Sequence, residues 1–328
     1  KKFQHAWGMN DLPSKNGLVI TEMVKAIDSG EIKSMYVVGE NPLLSEPDLS
    51  HTEETFKKLD LLIVQDIFMH ETAELADIVL PATSFAEKNG TFTNSERRVQ
   101  MVKQLVQPIG ESRSDWQIFC QLANVLSNRY KLNLNDQFSY KNASEIWDEM
   151  AGLTPMLKGI NYDRLSAEGG IQWPCPDTNH PGTRYLYQND FPRGNRAKFV
   201  PFEQGKPAQE MPTRKFPLIL NTGRTLYHWH GGTITKRSDN LISHTSELEV
   251  SINIKDGSTY NIKNGDWIKV TSRRGSLIGK AIFDNKMEPG QVFVPFTKLK
   301  NSAANFLTNS ALDENSKIPE YKVCAVNI

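Results

Sequence analysis

Two kinds of hydrophobic periodicity divide this chain, and they limit its fold more than any single motif does. In the first half, short β-rich runs alternate with helix-compatible stretches. Ser34 to Val38 ends at Gly39, Leu61 to Val64 ends at Gln65-Asp66, and Ile78 to Leu80 is closed by Pro81. Leu49 to Leu59 is polar and suits a helix, and Asp115 to Leu126 sets Trp116, Phe119, Leu122, Ala123 and Leu126 at helical spacing. That order implies an α/β domain with a doubly wound parallel sheet. Ligands of such sheets sit at the carboxyl ends of the strands, which singles out the loops Gly39-Glu40-Asn41-Pro42 and Gln65-Asp66. The same residues also serve as ordinary turn formers.

From about Thr154 to Thr213 the composition shifts to Pro, Gly, Asn and isolated aromatics, as in Trp173-Pro174-Cys175-Pro176, which reads as a long structured connection. Beyond it the period changes to two. Phe216 to Leu220, Glu249 to Ile254, Trp267 to Ser272, Leu277 to Phe283 and Gln291 to Phe296 are short alternating runs. Asp256-Gly257, Asn264-Gly265-Asp266, Arg274-Gly275 and Pro289-Gly290 separate them, so the last third reads as a compact β-barrel. The expected division is an α/β domain over 1–153, a connection over 154–213 and a barrel domain over 214–328.

Length and charge narrow the function. The 328 residues suffice for two ordinary domains. Lys plus Arg equals Asp plus Glu at 38 each, so no global basic field holds nucleic acid or an anionic membrane, and an anionic ligand must be held locally. No stretch approaches the roughly 18 apolar residues that a membrane span needs. Cys120, Cys175 and Cys324 are far apart and form no CxxC pair, which excludes a cysteine-ligated iron–sulfur cluster or Cys-rich zinc site built within these residues. Their sparsity favours a reducing, cytoplasmic setting. The start Lys1-Lys2-Phe3-Gln4 has neither an initiator Met nor a signal-peptide core, which suggests a piece of something longer.

Three segments could carry chemistry. The densest is Asn221-Thr222-Gly223-Arg224-Thr225-Leu226-Tyr227-His228-Trp229-His230-Gly231-Gly232. If the preceding strand continued, His228 and His230 would share a face and could chelate a metal, although no third ligand is near. Alternatively the glycines let backbone approach a flat ligand to which Arg224 and the histidines donate, or the segment is a hairpin with surface histidines. The second is the polar loop from Glu87 to Arg98, where Thr93, Asn94 and Ser95 offer donors and acceptors. The third is the tail, Ala304-Asn305-Phe306-Leu307-Thr308 and Ser316 to Lys322. No catalytic triad spacing, P-loop or GxGxxG occurs.

Taken in order, Val38-Gly39-Glu40-Asn41-Pro42, Leu62 to Phe68, Thr72-Ala73 to Pro81, Gly90 to Asn94 with Arg97-Arg98, and Thr222-Gly223-Arg224 resemble the formate dehydrogenase catalytic alpha subunits. Those belong to the molybdopterin oxidoreductases of the dimethyl sulfoxide reductase class. The tail from Asn305 to Val326 is similar to the formate dehydrogenase ending. The resemblance covers essentially the whole chain but only about the C-terminal half of a family member. Assimilatory nitrate reductases share the Thr-Gly-Arg and Trp-His portions, so a fragment of such a chain is the alternative, as is a non-catalytic nucleotide-binding module.

The resemblance implies a bis(molybdopterin guanine dinucleotide) cofactor carrying molybdenum or tungsten. Gly39, Glu40, Asn41, Gln65, Asp66, Thr72, Asn94 and Asp115 would lie near one dinucleotide, and Arg224, His228, His230, Asn305, Tyr321 and Lys322 near the other. The metal-ligating Cys or selenocysteine, the catalytic His and the 4Fe-4S site of the family belong to its N-terminal part. The implied activity is therefore two-electron oxidation of formate to carbon dioxide by an intact subunit, together with possible electron-transfer subunits. This stretch alone is expected to bind no metal directly and to be inactive.

Overall fold

The computed structural model describes residues 1–132, 134–188, 191–194, 196–202, 205 and 207–328. The chain folds as two compact units that exchange segments along the sequence. One is built from Lys1–Asn16, Gln65–Ile67 and Leu80–Glu203, the other from Gly17–Val64, Phe68–Val79 and Gln204–Ile328.

The strand runs of the first half form where the sequence places them: β1 (Ser34–Val38), β2 (Leu61–Asp66) and β3 (Ile78–Pro81), in sheet order β1-β2-β3. Most of this sheet lies in the second unit. Alternate residues Leu62 and Val64 of β2 are buried with Val37, Ile27, Leu43, Phe56 and Ala73, the larger side chains each worth about 1.5–3 kcal/mol if fully removed from water. Leu49–Phe56 is helical, and the carboxylate of Asp48 accepts from His51 N at its start. Asp77 clasps β2, accepting from Leu62 N at 2.7 Å while its own N–H donates to Leu62 O at 2.9 Å. The three strands neighbour one another in the order in which they occur along the sequence.

In the first unit, Glu87 to Arg98, read as a polar loop, instead forms most of a hairpin. β4 (Gly90–Thr93) pairs antiparallel with β5 (Arg98–Val102), which pairs with β6 (Ile171–Gln172). Asn94 makes the turn: its Oδ1 accepts from Glu96 N at 3.1 Å and Arg98 N at 3.0 Å, with Arg97 at φ 67°. The segment 154–213 contributes β6 and the helix Tyr162–Glu168, so it is not wholly irregular. Val99, Trp147, Ala151, Ile160, Leu165, Ile171 and Cys175 form this unit's core. The helix over 115 extends as Asp115–Tyr130, but its buried residues are Ile118 and Ser127; Leu126 on the expected apolar stripe is exposed.

The second unit holds a six-stranded mixed sheet: β7 (Leu218–Gly223), β8 (Glu249–Ile252), β9 (Trp267–Thr271), β10 (Ser276–Phe283), β11 (Gln291–Pro295) and β12 (Cys324–Val326), in order β12-β7-β11-β8-β10-β9. Only β9 and β10 make a simple hairpin; β8 runs parallel to β10 and β7 to β11. The outer strands meet at an antiparallel bridge between Thr271 and Asn327. Leu220, Val250, Ile252, Val270, Ala281, Val292, Val294 and Val326 alternate into one fully buried core. A smaller cluster of Leu44, Leu49 and Ala303 with Phe306 packs the segment after β1 against the tail. Among the described residues no helix is long and apolar enough to cross a membrane.

Candidate functional site

The loop after β1 is built on a left-handed glycine, Gly39 at φ 65°, around which a Cβ would meet open space. Gly39 and Glu40 are exposed, whereas Asn41 and Thr72 are buried. Asn41 Oδ1 accepts from the Thr72 hydroxyl at 2.8 Å and Thr72 N at 3.3 Å, and Thr72 Oγ1 accepts from Leu43 N at 3.1 Å. The amide of Asn41 donates to Glu71 Oε2 at 2.8 Å and to Thr233 Oγ1 at 3.2 Å. Burial pushes the Glu71 carboxyl up, but bonds from Asn41, its own backbone N–H and Lys298, with the charge of Lys236, outweigh burial and hold it at about 2.

The segment after β7 leaves the sheet at Gly223, where a Cβ would stand 2.6 Å from the Phe293 ring. The strand stops there, so His228 and His230 do not share a strand face. His228 is buried with both ring nitrogens on hydroxyls, Thr235 Oγ1 at 3.1 Å and Thr245 Oγ1 at 2.6 Å, and burial lowers its pKa. His230 is exposed at φ 48°, its Nε2 3.3 Å from Arg224 Nη2. The Arg224 guanidinium is also exposed, 5.1 Å from the centre of the Trp229 ring, and has no carboxylate partner among the described residues. Thr225 Oγ1 is buried without a partner among the described residues, beside a recess of about 20 Å³ that His228, Thr245, Glu247 and Thr297 help to line. That is room for about one water.

The tail returns to the same unit. Asn305 is buried and its amide donates to Leu44 O at 3.0 Å and Ser45 O at 3.1 Å; the Tyr321 hydroxyl donates to Ser45 O at 2.9 Å. Lys322 Nζ donates to Thr222 O, and the Thr222 hydroxyl donates to Tyr321 O at 2.6 Å. In the first unit, Gln65 is fully buried and donates to Asp115 Oδ1 at 2.8 Å, while Lys88 pairs with Asp115 Oδ2. Burial raises the Asp115 carboxyl, yet Lys88 and Gln65 leave it below its ordinary value. Asp66 Oδ1 accepts from Ile67 N at 2.6 Å.

The structure therefore groups the sequence candidates differently. Gln65, Asp66, Asn94 and Asp115 fall in the first unit; Gly39, Glu40, Asn41 and Thr72 fall in the second, with Arg224, His228, His230, Asn305, Tyr321 and Lys322. Sequence reasoning missed Glu71, Lys236 and Lys298, which meet through chain reversals that carry no local signal. It also missed Glu46, 5% exposed, whose Oε2 has no partner among the described residues. Burial, and then the charge of Glu40, raise the Glu46 carboxyl to about 7. Burial and Glu46 in turn push the Tyr321 phenol up.

Against known proteins, residues 4–125 match molybdopterin oxidoreductase and residues 218–325 match the molydopterin dinucleotide binding domain. The full length of the chain is 46% identical to the F420-dependent formate dehydrogenase subunit alpha of Methanocaldococcus jannaschii and covers 47% of it. Over these stretches the chain is similar to the molybdopterin oxidoreductases. It is also 36% identical to the assimilatory nitrate reductase catalytic subunit of Bacillus subtilis, over 98% of this chain and 46% of that protein. To formate dehydrogenase H of Escherichia coli it is 33% identical, over 100% of this chain and 45% of that protein. Acetylene hydratase from Pelobacter acetylenicus superposes with a TM-score of 0.72 at 17% identity, over 93% of this chain and 45% of that one, a likeness of fold. The chain spans about half the length of the curated relatives it matches.

Proposed function

We propose that this chain is the C-terminal cofactor-holding part of a molybdenum or tungsten formate dehydrogenase alpha subunit. Formate is preferred over nitrate because the F420-dependent formate dehydrogenase alpha subunit is 46% identical against 36% for the nitrate reductase. In this reading 1–153 and 214–328 serve the two guanine dinucleotides, 154–213 connects them, and the six-stranded sheet is the family's barrel. When bound, the metal and its pterins would supply the two-electron redox chemistry for formate oxidation, with iron–sulfur clusters elsewhere in the intact subunit as the expected electron acceptors.

The observation that carries the reading is Arg224. An exposed guanidinium without a carboxylate partner among the described residues, set over Trp229 and flanked by His230 beyond the end of β7, suits a phosphate-bearing ligand. Lys322 adds a second cation beside the same strand end, bonded to Thr222 O. The orphaned Thr225 hydroxyl is one more donor that a ligand or water would satisfy. In the first unit the bonded pair Gln65 and Asp115 would serve the other dinucleotide. Here the fixed carboxylate of Asp115 suits donors on a base edge. The three cysteines are unpaired, which suits a cytoplasmic enzyme.

The test is formate-dependent dye reduction by a full-length subunit containing this chain, with nitrate-dependent oxidation of reduced dye measured beside it. Formate turnover that falls at least about tenfold in Arg224→Lys is expected, since an ammonium cannot copy the planar fork. Nitrate turnover without formate turnover would move the chain to the second family branch.

A further inference from the structure

Glu71 is not among the residues assigned to the cofactor, yet it joins the loop that carries Asn41 to two lysines, Lys236 and Lys298, next to the Arg224 loop. Its Oε2 accepts from Asn41 Nδ2 at 2.8 Å, and its Oε1 accepts from Lys298 Nζ at 3.0 Å and Lys236 Nζ at 3.3 Å. Beyond Lys298 the contacts reach the Arg224 loop: Lys298 N donates to Gly231 O at 3.0 Å, and the Thr297 hydroxyl donates to His230 O at 3.3 Å. Beyond Asn41 lie Thr72 and Thr233. All three ion-paired side chains are about four-fifths covered. A carboxylate neutralising two such ammonium groups is costly to remove, because they would repel one another with little water to screen them.

We propose that Glu71 is a positioning residue that sets the Gly39–Asn41 loop and the His230–Gly231 end of the Arg224 loop in fixed relation, acting through Asn41 on one side and Lys298 on the other. The proposal rests on the reading of those loops as cofactor-holding. Glu71→Gln tests it, since the carboxamide keeps size and an acceptor while losing the charge.

The primary readout is amide hydrogen exchange on the full chain. Exchange at Asn41, Leu43 and 229–232 should quicken at least about tenfold in Glu71→Gln while Val292 to Val294 stay protected, the pattern of local opening. Lys298→Met should reproduce the change at 229–232, and adding it to Glu71→Gln should add little there, because both act along one path. If Glu71→Gln does not fold, Lys298→Met carries the expectation for 229–232 alone. Unchanged loops, or equal quickening everywhere, would overturn the proposal. Guanosine diphosphate titration of the same samples by Trp fluorescence separates the two readings. If wild type fails to bind, the cofactor reading suffers while exchange still decides on Glu71. If wild type binds, Glu71→Gln should bind at least about tenfold more weakly, and equal affinity would count against Glu71.

Discussion

The Asn41–Thr72–Glu71 junction and the Arg224–Gly231 loop lie in one unit but handle their polar groups in opposite ways. In the junction every named polar atom is matched: amide to carboxylate, hydroxyl to amide oxygen, ammonium to carboxylate. In the loop, Arg224 and His230 face solvent, and the exposed Trp229 and Leu226 side chains bury nothing comparable. Groups consumed by internal bonds hold the fold, whereas groups left unmatched at a strand end are available to a ligand. Within the loop, His228 behaves like the junction, with both ring nitrogens taken.

Substitutions should separate the two kinds of residue. The largest effect is expected for Asn41→Ala, which strips partners from Glu71, Thr72 and Thr233 together and should cost about 3 kcal/mol of stability by denaturant unfolding. A loss below about 1 kcal/mol would mean that the junction is not the stronger region.

Glu46 sharpens the contrast, being buried but unmatched. Its carboxyl, at about 7, keeps a proton that the unfolded chain gives up near the ordinary 4.5. Its contribution to stability is therefore full below pH 4.5 and is lost as pH rises through 7, up to about 3 kcal/mol in all. Unfolding at pH 5 and pH 8 should show a smaller fall for Glu46→Gln than for wild type, and identical falls would remove Glu46 as the cause. Glu71, held at about 2, contributes the opposite slope only in acid. The smallest effect belongs to Leu226→Ser: a side chain 89% exposed should change stability by under about 0.5 kcal/mol. A larger loss in calorimetric melting would show the loop to be packed.

The strand positions were legible in the sequence because local alternation decides them, as at Leu62, Val64, Val250 and Ile252. Pairing was less so. β7 and β11 are parallel neighbours about seventy residues apart, and β12 joins β7 from a tail that carries only three strand residues. Asn94 was picked out as a ligand donor for the same chemistry that makes it the turn of the β4–β5 hairpin. Arg224 was singled out by its glycine and aromatic neighbours, and its role is the proposal made above. Glu71 was not, since its partners lie 30, 165 and 227 positions away along the chain at Asn41, Lys236 and Lys298.

The account turns on Arg224 being free for an anionic ligand while the fold does without it. Calorimetric titration of guanosine diphosphate into the chain, with melting followed in the same samples, tests this most directly for wild type and Arg224→Ala. Affinity should fall about tenfold or more at an unchanged melting temperature, as for loss of a charged hydrogen bond to the ligand. Unchanged affinity with a lowered melting temperature would contradict it, and would make Arg224 part of the fold rather than of the site.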